Sequence, residues 1–271
     1  MRLLRLPGLA SAAEKILSVE VITMSGHSKW ATIKHKKGAL DAKRGKIFTR
    51  LIKEITMAAK GGGGDVEGNP RLRTAVAAAK AENMPADNIK RAIQRGTGEL
   101  EGVNYEEITF EGYGPGGVAV IVDVTTDNRN RTVSEIRHMF GKNGGNLGES
   151  GSVAWMFSKK GSIVVSKKAK EDDLMNIVLE HGGDDLNDDG DNWEITTPTS
   201  AYETVLEAVK KSGAEVVHSE VGMVPQTYVK LEGAAANQMI RLLEAIEDFD
   251  DTQNVYSNFD FDQKQLEEVA G

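Results

Sequence analysis

The stretch EEITFEGYGPGGVAVIVDVTTD, residues 106–127, is where the grain of the chain changes. Upstream, apolar residues recur at helical spacing; here they run as two strand-like segments on either side of a glycine-rich turn. Within it, Gly112-Tyr113-Gly114-Pro115-Gly116-Gly117 has the spelling G-x-G-x-x-G. A dinucleotide site of that spelling needs a helix N-terminus directly after it, so that backbone amides meet the pyrophosphate. VAVIVDV follows instead and reads as a strand, so the glycines are read as a turn.

Working back from Tyr105, KIFTRLIKEITMAAK (46–60) sets Ile47, Leu51 and Ile55, and also Phe48, Ile52 and Ala59, at helical spacing, with Lys46, Arg50, Lys53 and Lys60 largely elsewhere. That is an amphipathic helix with a basic back, ended by Gly61 to Gly64. Asn69 and Pro70 give a cap followed by a first-turn proline for a second helix. Pro85 opens a third, carrying Ile89 and Ile93 with Lys90, Arg91 and Arg95, stopped by Gly96 and Gly98. Residues 24–100 are expected to form a helical domain with mostly basic exposed faces.

Working forward, Thr132 and Glu135 stand at capping-box spacing and predict a helix over TVSEIRHMFGKN, with Val133, Ile136 and Phe140 inside. SVAWMFSKKGSIVV predicts strand, turn, strand. Helix, strand, helix and two strands then alternate to residue 233, before a helix over NQMIRLLEAIEDF and a last strand around Val255 to Phe259. The fold class is α+β: a helical N-terminal domain, then two sheet domains with helices on one sheet face. The run 102–159 lacks a closing helix and strand. Residues 101–159 plus 227–271 are therefore expected to form one discontinuous domain, and 160–226 an acidic domain inserted into it.

The 271 residues include no cysteine, which excludes disulfides, thiolate zinc sites and cysteine nucleophiles. The five histidines include no i, i+4 pair, so no histidine metal site is expected, and no cofactor. No run approaches the roughly 18 apolar residues of a membrane span. Asp185, Asn187, Asp189 and Gly190 match half of a calcium loop, but the twelfth position is Thr196 rather than glutamate, which makes an acidic turn the reading. There is no P-loop and no nucleophile elbow. A metal-dependent hydrolase built on Asp184 or Asp185 is the enzymatic rival; nothing in the residue pattern asks for it, and no catalytic residue is assigned.

Charge is what remains, and it is polarised. Residues 24–60 carry ten Lys/Arg against Asp41 and Glu54, whereas residues from 171 onward carry five basic and 24 acidic ones, within a net charge of −8. A one-signed basic region sets up a local field that distant acids cancel little beyond a Debye length of about 8 Å. Its natural partner is a polyanion. Trp30 within this region either stacks on a base or pins the arm to its own domain. At TTDNRNRT (125–132) a strand meets a helix, and two readings stay open. Arg129 and Arg131 join the helix amides in holding a phosphate, or Asp127 and Asn130 build the turn and cap while the arginines are solvated or paired with Asp127.

SGHSKWATIKHKKGALDAKRGKIFTRLIKEI (25–55), NPRLRTAVAAAKAENMPADNIKRAI (69–93), FEGYGPGGVAVIVDVTTDNRNRT (110–132), GGNLGESGSVAWMF (144–157) and FDDTQNVYSNFD (249–260) together resemble the YebC/PmpR family, which includes a mitochondrial translational activator. The resemblance runs from Met24 to about Asp262. It implies three domains, no catalytic residues and no cofactor, and a regulator of gene expression that binds nucleic acid: DNA, as a probable transcriptional regulator, or ribosomal RNA, as a ribosome-associated translation factor. Carried onto this chain, the candidate phosphate contacts are Lys29, Trp30, Lys34, His35, Lys36 and Lys37, followed by Lys43, Arg44 and Arg50. Residues 1–23 lie outside the resemblance and read as an extension ahead of a start at Met24. The expected location is cytoplasmic, or the mitochondrial matrix if those residues are a targeting peptide. The sequence does not specify an oligomeric state.

Overall fold

A computed structural model describes residues 40–188, 190 and 192–260, with side chains from residue 45. Three helices come first: α1 (Leu40–Gly62), α2 (Pro70–Ala81) and α3 (Ala86–Thr97). Ile55, Leu72, Val76, Ile89 and a set of alanines fill the space between them. The Asn69 side chain caps α2 by accepting from the Leu72 amide at 3.1 Å, ahead of Pro70 in the first turn. Among the described residues no helix is long and apolar enough to cross a membrane.

Gly98 ends α3 in the left-handed conformation, but Gly96 does not stop the helix; it lies inside it. Its role is close approach, because a Cβ there would collide with the Thr56 carbonyl of α1 and come within 2.7 Å of the Ala59 methyl. Gly96→Ala is therefore expected to lower the urea midpoint. Overpacking costs about 1–3 kcal/mol, against at most about 1 kcal/mol of helix propensity gained.

The first sheet has the order β3-β1-β2-β9, antiparallel throughout: β1 (Glu106–Tyr113), β2 (Ala119–Thr126), β3 (Asn146–Leu147) and β9 (Thr252–Ser257). β1 and β2 are joined by a single 3₁₀ turn over Pro115–Gly117, the turn that the glycines announce. One face carries Val120, Val122 and Val124 against α4 (Arg129–Lys142) and α7 (Gly233–Asp248), meeting Ile136, Phe140, Met239 and Ile240. The other carries Ala119, Ile121 and Tyr256 against Val153 and Phe157. Both faces of β2 are covered, which is why its sequence is a continuous apolar run rather than an alternation.

The chain enters a second antiparallel sheet at Phe157 and leaves it at Pro225, in the order β5-β6-β4-β7: β4 (Phe157–Ser166), β5 (Asp185–Asp188), β6 (Asn192–Thr197) and β7 (Val216–Pro225). Helices α5 (Glu171–His181) and α6 (Tyr202–Lys211) cover one face through Leu174, Val178, Val205 and Val209. β8 (Val229–Lys230) and β10 (Phe259–Asp260) form a short parallel pair. The protein is thus α+β, helical at its N-terminal end and sheet-based after it.

Two local expectations are corrected. The expected strand-turn-strand over SVAWMFSKKGSIVV is a 3₁₀ turn at Ala154–Met156 followed by one strand, β4. Gly161 is no turn; it pairs with Thr197 and leaves room for the Tyr202 ring, which a Cβ would strike. Helix α4 begins three residues before the predicted capping box. The Asn128 side chain accepts from the Arg131 amide at 3.1 Å and takes the cap, while the Thr132 hydroxyl turns inward to Thr126 and Asp251.

Candidate nucleic-acid interface

The expected contact residues of the N-terminal region and the cations that follow them fall into two groups. Lys29, Trp30, Lys34, His35, Lys36 and Lys37 lie outside the described residues, as do the side chains of Lys43 and Arg44. From residue 45 onward, Lys46, Arg50, Lys53 and Lys60 recur at helical spacing on one stripe, and all four head groups find partners within the chain, although only Lys53 is buried. Lys46 donates to the Asp248 carbonyl at 3.0 Å and pairs with its carboxylate at 3.1 Å. Arg50 donates to the Glu247 carbonyl. Lys53 donates to the Asp250 carbonyl at 2.9 Å and pairs with the Asp251 carboxylate at 2.7 Å, both side chains buried. Lys60 reaches Asn104 at 2.6 Å and the Tyr105 carbonyl at 3.2 Å.

The contacts of Lys46, Arg50 and Lys53 have a common cause. Helix α7 ends at Asp248, and its last carbonyls carry the negative end of the helix dipole with no intrahelical partner. The acids of Glu247–Asp251 add full charges at the same place. The α1 stripe supplies donors and positive charge to both. The part of α1 that carries Lys46, Arg50 and Lys53 is therefore a docking face onto the end of α7. Burial lowers the Arg50 pKa, against the pull of the carboxylates of Glu247, Asp248 and Asp250.

Asp251 is the centre of this contact. One carboxylate oxygen takes Lys53; the other accepts from Arg131 at 2.8 Å, Thr132 at 2.8 Å and Thr126 at 3.0 Å. Burial alone would raise its pKa. The bonds from Lys53, Arg131 and Thr132 outweigh burial and bring it down to about 2. Arg131 also pairs with Asp127 at 2.9 Å, and the hydrogen bond to Asp251 is the main cause of its raised pKa. Of the two readings of 125–132, Arg131 follows the carboxylate-paired one, with Asp251 as a partner that sequence reading did not name. Arg129 is exposed and lies 3.5 Å from Glu106.

Other cations of the helical region stay outward. Lys80 of α2 and Lys90 and Arg91 of α3 are exposed and make no ion pair among the described residues. Arg71 differs, being shared between Glu54 and Glu107. No cluster of three or more His, Asp or Glu with metal-holding geometry occurs among the described residues, Asp184 and Asp185 included; Asp184 pairs with Lys160 at 3.1 Å.

Two family models match the chain. One, described as the TACO1/YebC protein N-terminal domain, covers residues 28–99; the other, described as the TACO1/YebC second and third domain, covers 105–259. A probable transcriptional regulatory protein of Koribacter versatilis is 80% identical over 92% of this chain and 100% of its own length. One of Geobacter sulfurreducens is 59% identical over 91% of this chain and 100% of its own. The crystal structure of a conserved hypothetical protein from Aquifex aeolicus superposes with a TM-score of 0.76 at 46% identity, covering 87% of this chain and 98% of that one.

Proposed function

The chain belongs to the TACO1/YebC family, and on that footing we propose that it is a non-enzymatic regulator of gene expression that holds DNA through the phosphate backbone. Its relatives carry the name probable transcriptional regulatory protein. The observation that supports the reading is the division of labour among the cations. Lys46, Arg50 and Lys53 of the α1 stripe are engaged by the Glu247–Asp251 segment, while Lys80, Lys90 and Arg91 keep their charge outward. The arm cations Lys29, Lys34, Lys36 and Lys37, with Lys43 and Arg44, join them in this proposal; Arg50 and Arg131 do not, because their guanidinium groups already have partners.

Lysine-dominated phosphate contact positions a protein without reading base edges. Gene selectivity would then come from DNA shape or from a protein partner. The relatives named here are bacterial, which gives the mitochondrial reading no support. Salt titration of binding to a duplex of 20–30 base pairs tests the proposal. If about five cations engage phosphates, log affinity falls with log salt at a slope of roughly −4.5. A slope near zero, or binding to ribosomes with none to DNA, would overturn it.

A further inference from the structure

Trp155 is the bulkiest exposed apolar side chain among the described residues, 68% accessible, although Val153 and Phe157 on either side of it are buried in the core. The loop that displays it is firmly built. Glu111, buried on β1, accepts from the amides of Gly151, Val153 and Ala154 at 2.7, 2.8 and 2.8 Å. Burial would raise its carboxyl pKa, but the three amides hold it below the usual range, so the anchor is an ionised carboxylate. The Tyr113 hydroxyl donates to the Ser152 carbonyl at 3.0 Å, and the Gln226 amide to the Met156 carbonyl at 2.9 Å.

The indole has a single donor, and it is already used: Nε1 donates to the Ser152 carbonyl at 3.1 Å. A tryptophan that anchors in a protein pocket ordinarily brings that N–H to its partner. Here the outward chemistry is a rigid aromatic surface with no polar edge to satisfy. Gly151 of the same loop faces open space, a Cβ there meeting nothing within 4 Å. Lys159 is exposed four residues on, makes no ion pair among the described residues, and lies at most about 13 Å away along the extended chain.

We propose that Trp155 is a stacking platform for an unpaired nucleobase, with Lys159 placed for a neighbouring phosphate. Every base has a π-face, so such a platform favours single-stranded or locally opened nucleic acid and tolerates any sequence. This inference rests on the nucleic-acid reading above but goes beyond it, in site and in strandedness.

The test uses the full chain and two probes, a 20-nucleotide oligo(dT) and a 20-base-pair duplex. W155A is expected to weaken oligo(dT) binding about tenfold, a typical loss for one stacked base, and to leave duplex binding unchanged. W155F should retain most of the affinity, and K159A should lower the single-strand salt slope by about 0.7. The indole emission present in the wild type and missing from W155F should be quenched at saturating oligo(dT). Equal oligo(dT) affinity of wild type and W155A without quenching overturns the platform while leaving the nucleic-acid reading intact, and assigns the loop to a protein partner. Equal losses on both probes overturn it too, marking Trp155 as structural. Failure of the wild type to bind either probe removes both proposals.

Discussion

Replacing Asp251 with asparagine is expected to lower the stability of the folded chain by about 3–5 kcal/mol, the usual cost of leaving one member of a buried ion pair without its counter-charge. Lys53 is 5% accessible and would lose its only buried counter-charge, keeping neutral acceptors such as the Asp250 carbonyl and the face of Tyr105, whose centroid lies 5.8 Å from its ammonium. The carboxylate also ties Thr126, Thr132 and Arg131 together, so the start of α4 loosens with it. Urea unfolding followed by circular dichroism measures the loss. Adding Lys53→Met should recover much of it, because removing both buried charges abolishes the unpaired one. Equal stability of wild type and D251N would refute the role given to this residue. The pH dependence has a definite sign. A carboxyl with a folded pKa of about 2 contributes stability that is fully present above its unfolded value near 4 and is lost as pH falls through 2. Wild type should lose stability over that window, and D251N should show a flatter acid limb.

The contact around Asp251 shows where a sequence stops being legible. Helices α2 and α3 could be read because their signals are local: Asn69 before Pro70, Pro85 ahead of α3, Gly98 in the left-handed conformation after it. β2 could be read because an apolar run after a glycine turn has few alternatives. Lys46, Arg50 and Lys53 read from sequence as a solvated or nucleic-acid-facing stripe, since their partners lie about 200 residues away along the chain. The signal was present in part. A basic helical stripe and an acidic cluster at a helix C-terminus are complementary in charge, and Glu247–Asp251 is such a cluster. What the sequence lacked was the topology that brings the end of α7 to α1.

Glu111 illustrates the same limit at shorter range. In a strand of alternating polarity a glutamate reads as solvent-facing, yet here it is buried and satisfied by three amides from a loop 40 residues on. The start of α4 differs from the Thr132 capping box for another reason: the inward bonds of Thr132 to Thr126 and Asp251 take its hydroxyl, and Asn128 caps the helix instead. A local rule fails where a tertiary partner competes for the same side chain.

Reversing Lys34, Lys36 and Lys37 to glutamate is expected to weaken DNA binding about 10³-fold at 0.1 M salt. Each phosphate contact contributes about 0.9 to the salt slope, hence close to one log unit of affinity between 0.1 and 1 M, and three contacts are removed. The slope should fall by about 2.7 in the same measurement. The α1 stripe supplies the contrasting variant. Lys46→Glu should lower the urea midpoint by bringing a carboxylate up to Asp248 and the end of α7, and should leave the salt slope as it was, because that charge is already engaged within the chain. Opposite patterns for the two variants separate charge that docks the helices from charge that meets phosphate. An unchanged slope in the triple reversal would mean that Lys34, Lys36 and Lys37 have another partner, and the remaining cations, Lys29, Lys43 and Arg44 with Lys80, Lys90 and Arg91, would have to carry the DNA.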